Sequence, residues 1–196
     1  MNVLTDTLPS TVKIGGKEYP INTDFRAGIK FELLMTAQEE NIVKLLAPYF
    51  STKIPDDLIG ALHAVELFYC CGELPQKKDK PKKEKIAYSF DVDSEAILAD
   101  FWQYYNIDLS QEGLHWWTFR ALLYGLPEKS EFKQRIYYRT CDLKGMSKRE
   151  RERIVKIRTQ LEIKGENNSK ITLEERNAKM KEYIAKRRIE TTEGVQ

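Results

Sequence analysis

SFDVDSEAILADFWQYYNIDLSQEGLHWWTFRALLYGLP, Ser89 to Pro127, is the stretch that decides the fold. Ile97, Leu98, Phe101, Trp102 and Tyr105 recur at helical spacing, and Asp93 stands where an N-cap belongs. A second helix is predicted from about Ser110 to Tyr124, with Leu114, Trp117, Ala121 and Leu122 on one side and Gly125-Leu126-Pro127 as its stop. Upstream, AYSFDVD alternates as a short strand would. The period through this region is that of helices, and aromatic side chains dominate the core it predicts.

Toward the N-terminus, TVKIGGKEYPIN (Thr11 to Asn22) places two β-type runs, Val12 to Ile14 and Tyr19 to Ile21, around a Gly15-Gly16 pair suited to the positive φ of a tight turn. Asp24 suits an N-cap for a helix carrying Phe25, Ile29 and Phe31 to Met35, which should break near Glu39 to Asn41 before a shorter helix to Phe50. Pro55 is placed for the first turn of a third helix, with Leu58, Ile59, Leu62, Val65 and Tyr69 at helical spacing and Gly72 at its end. Glu73 to Lys85 holds two prolines and six lysines with Leu74 as its one apolar residue, the composition of a linker.

Beyond Pro127 the helical pattern thins. Phe132, Ile136 and Tyr137 make one stripe, and Ser147 with Glu150 form a capping box ahead of Ile154, Ile157 and Leu161. Thr172 with Glu175 repeat the box before Met180, Tyr183 and Ile184. The expected fold is mainly α, helical bundle units with a short N-terminal β-hairpin. Its expected divisions are a hairpin plus helical unit over 1–75, a Lys/Pro-rich linker over 76–85, an aromatic-rich helical unit over 86–163 and a mobile helical extension over 164–196.

The net charge of +2 conceals a division, since residues 128–163 carry eleven Lys/Arg against six Asp/Glu while the first two thirds outside the linker are acidic. No window has the run of about 18 apolar residues that a spanning helix needs, so no membrane partner is expected. The start, MNVLTDTLPS, has neither the basic nor the apolar region of a secretory signal, and three cysteines, two of them adjacent, make a poor disulfide framework. Both point to a cytoplasmic protein.

The search for catalytic chemistry is negative. The sequence has no glycine-rich phosphate loop, no Gly-x-Ser-x-Gly, no His-Glu-x-x-His and no Cys-x-x-Cys, and only His63 and His115 as imidazoles. No enzyme, cofactor or metal site is therefore expected. Asp91 and Asp93 with Glu95 admit a cation, but a strand exit and an N-cap account for them more simply. His115, beside two tryptophans, reads as a core-edge histidine or a base in an apolar pocket.

Binding features stand out more. Trp116 and Trp117, adjacent on one helix, point about 100° apart, so either a broad aromatic core covers both or one is exposed and anchors a partner. Ile154, Ile157 and Leu161 form a stripe narrow enough to be a second candidate partner surface. The run Lys148-Arg149-Glu150-Arg151-Glu152-Arg153 mixes its signs as a solvated helix face does, and no RNA-binding aromatic motif accompanies it, so nucleic acid is not the expected partner.

YPINTDFR (Tyr19 to Arg26), YSFDVDSEAILADFWQYYNIDL (Tyr88 to Leu109), LHWWTFRALLYGL (Leu114 to Leu126) and YRTCDLKGMSK (Tyr138 to Lys148) resemble the tailed-phage proteins called bacteriophage gene product 15. The resemblance covers about residues 1–163. It implies a product of the tail gene block, similar to the tail assembly chaperones that act between the tube protein and the tape measure in the host cytoplasm. Tape measure and tail tube proteins are then the implied partners, with self-association besides, and no catalytic residue is carried over. The alternatives are a structural component of the virion tail or connector and a basic nucleic-acid-binding module.

Overall fold

A computed structural model describes residues 2–73 and 86–163. The predicted linker over 76–85 and the extension over 164–196, with its Thr172–Glu175 box, lie outside the described residues. Those residues form two strands and seven helices, mainly α with a short N-terminal hairpin. They divide into two compact units. The first holds the chain up to residue 73 together with Leu114–Phe119, and the second holds 86–113 and 120–163.

In the first unit β1 (Thr11–Ile14) pairs antiparallel with β2 (Lys17–Pro20), Val12 opposite Tyr19. Gly15 and Gly16 take φ of +56° and +81°, the two consecutive left-handed residues of a two-residue hairpin turn. Val12 and Ile14 alternate into the core, and β1 lies on α3 (Leu58–Tyr69). The remaining helices are α1 (Phe25–Thr36) and α2 (Ile42–Leu46).

Each start has a side-chain cap. Asp24 accepts from the Arg26 amide at 2.9 Å, Asn41 from Val43 at 3.0 Å and Asp57 from Gly60 at 3.0 Å. Pro55 therefore stands outside α3 rather than in its first turn, because Asp57 supplies the acceptor that fixes the start. At the other end Cys71 and Gly72 turn left-handed, and the Gly72 amide reaches back to the Leu67 carbonyl at 2.8 Å, a Schellman closure. The core between these helices is aromatic and aliphatic, with Phe31, Leu45, Leu46, Tyr49, Leu62 and Phe68 buried and Phe31 edge-on to Tyr49.

The second unit contains α4 (Ser94–Tyr105), α6 (Glu131–Thr140) and α7 (Lys148–Gln160), with α6 packed against both of the others. Helix α5 (Trp116–Gly125) gives Trp116–Phe119 to the first unit and the rest to the second. Two expectations fail here. AYSFDVD is not a strand, because the Asp93 amide and carboxylate both bond back to Ser89 and close a turn. The helix predicted from Ser110 begins only at Trp116, because Leu114 and His115 are held extended by Thr23 to Phe25. The Phe25 amide donates to Leu114 at 2.8 Å and the Trp116 amide to Thr23 at 2.7 Å. The predicted Ser147–Glu150 capping box is present in both directions, and its Ser147 donors hold the Glu150 carboxyl below the usual range.

Candidate functional site

The adjacent tryptophans do not form an exposed anchor. Trp116 is 1% and Trp117 8% exposed. Their adjacency works because both indoles reach the same helix end: Trp116 Nε1 donates to the Tyr69 carbonyl at 2.8 Å and Trp117 Nε1 to the Phe68 carbonyl at 2.8 Å. These are carbonyls of the last turn of α3, beyond its i+4 amide ladder, and that of Phe68 also accepts the Cys71 amide at 3.0 Å. Trp116 also stacks on Tyr69 with centroids 5.1 Å apart and lies against Gly28. The pair therefore staples α5 to α3, and the broad aromatic core of the two readings is the one found.

His115 completes the junction. Its Nδ1 accepts the Trp117 amide at 3.2 Å, so the tautomer carries its proton on Nε2, which donates to the Pro9 carbonyl at 3.1 Å. Both ring nitrogens are engaged in holding the start of α5.

The stripe on α7 is also used internally. Ile154 is 8% exposed, and Ile157 and Leu161 are partly buried on the side that meets α6. Two arginines fasten this packing. Arg158 donates to the Tyr138 and Cys141 carbonyls at 2.9 and 3.0 Å, and Arg139 Nε donates to the Leu161 carbonyl at 2.8 Å. The expectation that the stripe buries little in its own chain is corrected on this geometry.

Asp93 proves to be more than a cap. It sits at the N-cap position of α4 but makes no side-chain cap bond. Its buried carboxylate instead accepts from Arg139 Nη1 and Nη2 at 2.6 and 2.9 Å and from Arg135 Nη1 at 3.2 Å. Burial alone would raise its carboxyl. The Arg139 hydrogen bonds, the Ser89 amide, the Arg139 charge and Arg135 outweigh that and hold it below the usual carboxylate range. Asp93 is thus committed to two arginines, which leaves it no part in the cation arrangement weighed with Asp91 and Glu95. Among the described residues no group of three His, Cys, Asp or Glu is placed to hold a metal ion. The second buried acid of α4, Asp100, accepts the Glu131 and Phe132 amides at 3.1 and 2.8 Å, so it caps α6 from the neighbouring helix.

Among the described residues, apolar surface is left open in several places, of which two are built by neighbouring side chains. One is a groove of about 660 Å³ between α1 and α2, lined by Leu33, Leu34, Ala37, Ala47 and Pro48 and rimmed by Lys30 and Lys44. The other is the outer flank of α4, where Leu98 is 41% and Trp102 57% exposed.

Residues 4–163 match the family described as bacteriophage Gp15 protein. The chain belongs to that family. No curated protein and no solved structure matches it. In this Gp15-family chain no helix among the described residues is long and apolar enough to cross a membrane.

The surfaces that remain open on the Gp15 chain are ones that sequence reasoning passed over. Ile97/Phe101 and Leu98/Trp102 are two apolar i,i+4 pairs side by side on α4, and periodicity assigned both to the core. Only the first is buried. The missed signal is the acidic pair: Asp93 and Asp100 lie three to four residues from Ile97, and their arginine and amide partners draw that face inward and turn Leu98 and Trp102 out.

Proposed function

We propose that this bacteriophage protein is a tail assembly chaperone, a non-enzymatic factor that holds the tape measure protein and meets the tail tube protein in the host cytoplasm while the tail is built. The observation that carries the reading is the open groove between α1 and α2 on a chain of a phage family. A long helical client has to keep its apolar stripes covered until tube subunits arrive, and the cover has to be shed. A shallow apolar groove suits that role, because it accepts a row of side chains without the large dry interface of a permanent complex. Lys30 at its rim favours a client segment with an acidic residue beside the apolar row, whereas Lys44 is already paired with Glu39 at 3.3 Å.

Co-expression with the tape measure protein tests this. The wild-type chain is expected to keep the client in the soluble fraction and to co-purify with it. Leu34→Glu and Lys30→Glu, each checked by circular dichroism for retained fold, should lose most of that rescue. A client that stays insoluble beside the wild-type chain contradicts the chaperone reading. Variants that rescue at the wild-type level move the client surface away from the groove.

A further inference from the structure

Charge within the second unit is divided between its helices. Residues 86–113 carry six Asp/Glu and no Lys or Arg, whereas 128–163 carry eleven Lys/Arg against six Asp/Glu. Helix α6 lies against both α4 and α7, and each of these turns its inner face to it: α4 through Asp100 and α7 through Arg158. The outer flanks of both helices are exposed.

Those flanks match in spacing. On α4, Glu95, Leu98 and Trp102 stand at i, i+3 and i+7, all exposed, and on α7 Lys148, Arg151 and Val155 stand at the same spacing, also exposed. In each set the charge leads and the apolar residue follows about 10 Å along the axis. Laid parallel, the two helices set Glu95 against Lys148 and Arg151, and Trp102 with Leu98 against Val155. Glu152, one turn on from Lys148 and likewise exposed, borders this flank and offsets part of its positive charge, leaving it net basic with Lys148 and Arg151.

We propose that the α4 flank of one copy of this chain receives the α7 flank of a second copy, packed parallel. The contact is heterologous, so each copy offers one flank and uses the other, and association runs head to tail. Trp102 is its anchor, since a large aromatic side chain desolvated at the centre of a small interface carries most of the energy. The charges set partner and orientation and make the contact salt-sensitive.

Sedimentation velocity on the nuclease-treated full chain, from about 1 to 300 µM, tests it against the micromolar affinity range of reversible contacts. The wild type should shift from monomer to dimer and longer species, and the shift should weaken several-fold at high salt. Trp102→Ala and Val155→Glu should each weaken association at least tenfold. Mixed one to one, they should form a dimer and nothing longer, because Trp102→Ala keeps its α7 flank and Val155→Glu keeps its α4 flank. A wild type that stays monomeric overturns the proposal, and so does association that nuclease treatment removes. Variants that associate as the wild type does overturn it too. A mixture that stays monomeric points to Trp102 packing on Trp102 and overturns the heterologous contact. If either apolar variant loses helical signal, the charge pair decides: Glu95→Arg and Arg151→Glu should weaken association separately and restore it when mixed.

Discussion

Arg139 and Asp93 meet as a buried bidentate pair, with Nη1 and Nη2 at 2.6 and 2.9 Å from the two carboxylate oxygens. The same guanidinium donates to the Ala87 carbonyl at 3.2 Å and, through Nε, to Leu161 at 2.8 Å. One side chain of α6 thereby ties the approach to α4 and the end of α7 to a single point. Removing Asp93 leaves the buried Arg139 charge unmatched, and removing Arg139 leaves the Asp93 carboxylate with only the longer Arg135 ion pair at 3.2 Å. Asp93→Asn is expected to destabilise the chain by about 3 to 5 kcal/mol in urea denaturation, and Asp93→Leu combined with Arg139→Met should cost less than the two single changes together.

The same pair sets a pH dependence. The Asp93 carboxyl is held below its ordinary value in the folded chain, so its contribution is complete above the unfolded value of about 4 and is lost as pH falls through the folded value. The stability difference between wild type and Asp93→Asn should be constant from neutrality down to about pH 5 and shrink below about pH 4. A difference that grows on acidification would mean that Asp93 is protonated in the fold.

Gly28 is in α1 because nothing larger fits. A Cβ there would stand 2.7 Å from Cζ3 of Trp116 and nearer still to other ring atoms. Gly28→Ala should cost about 1 to 3 kcal/mol by overpacking despite the better helix propensity of alanine. Thermal melts monitored by tryptophan fluorescence check this, and an unchanged or raised melting temperature would contradict the packing of Trp116 described above.

Asp100 caps a helix other than its own. Asp100→Ala leaves the Glu131 and Phe132 amides without their acceptor, and a loss of about 1 to 3 kcal/mol is expected in denaturant titration. Replacing Ile154, Ile157 and Leu161 together by Ser should detach α7 from α6. Of the three, Ile154 is buried and alone is worth about 2 kcal/mol or more. Fast amide exchange across Lys148–Gln160 in that variant is the expected sign, and wild-type protection would return the stripe to the surface.

The hairpin, the positions of most helices and the caps at Asp24 and Ser147 were legible because they rest on local rules: turn glycines, period and side-chain acceptors. What was illegible depends on long-range partners. Nothing near Ser110 signals that Leu114 and His115 are held extended by Thr23 to Phe25, so local pattern starts the helix six residues too early. Asp93 looks like any N-cap until Arg139, 46 residues on, is found beside it. The tryptophan pair is ambiguous in sequence for the same reason, since the α3 carbonyls that accept its indole N–H groups lie 47 and 49 residues away. Periodicity places Trp102 in the core because two apolar pairs on one helix look alike until one is matched with the inner face.

Quantitative mass spectrometry of a tagged copy of the chain captured from infected cells during tail assembly, run beside purified virions, tests the proposed function most directly. Tape measure and tail tube proteins should be enriched with the tagged chain from the lysate, and the chain itself should be missing from finished particles. Capture of neither protein above an untagged control, or the chain present in virions at the copy number of a tail subunit, would contradict the account.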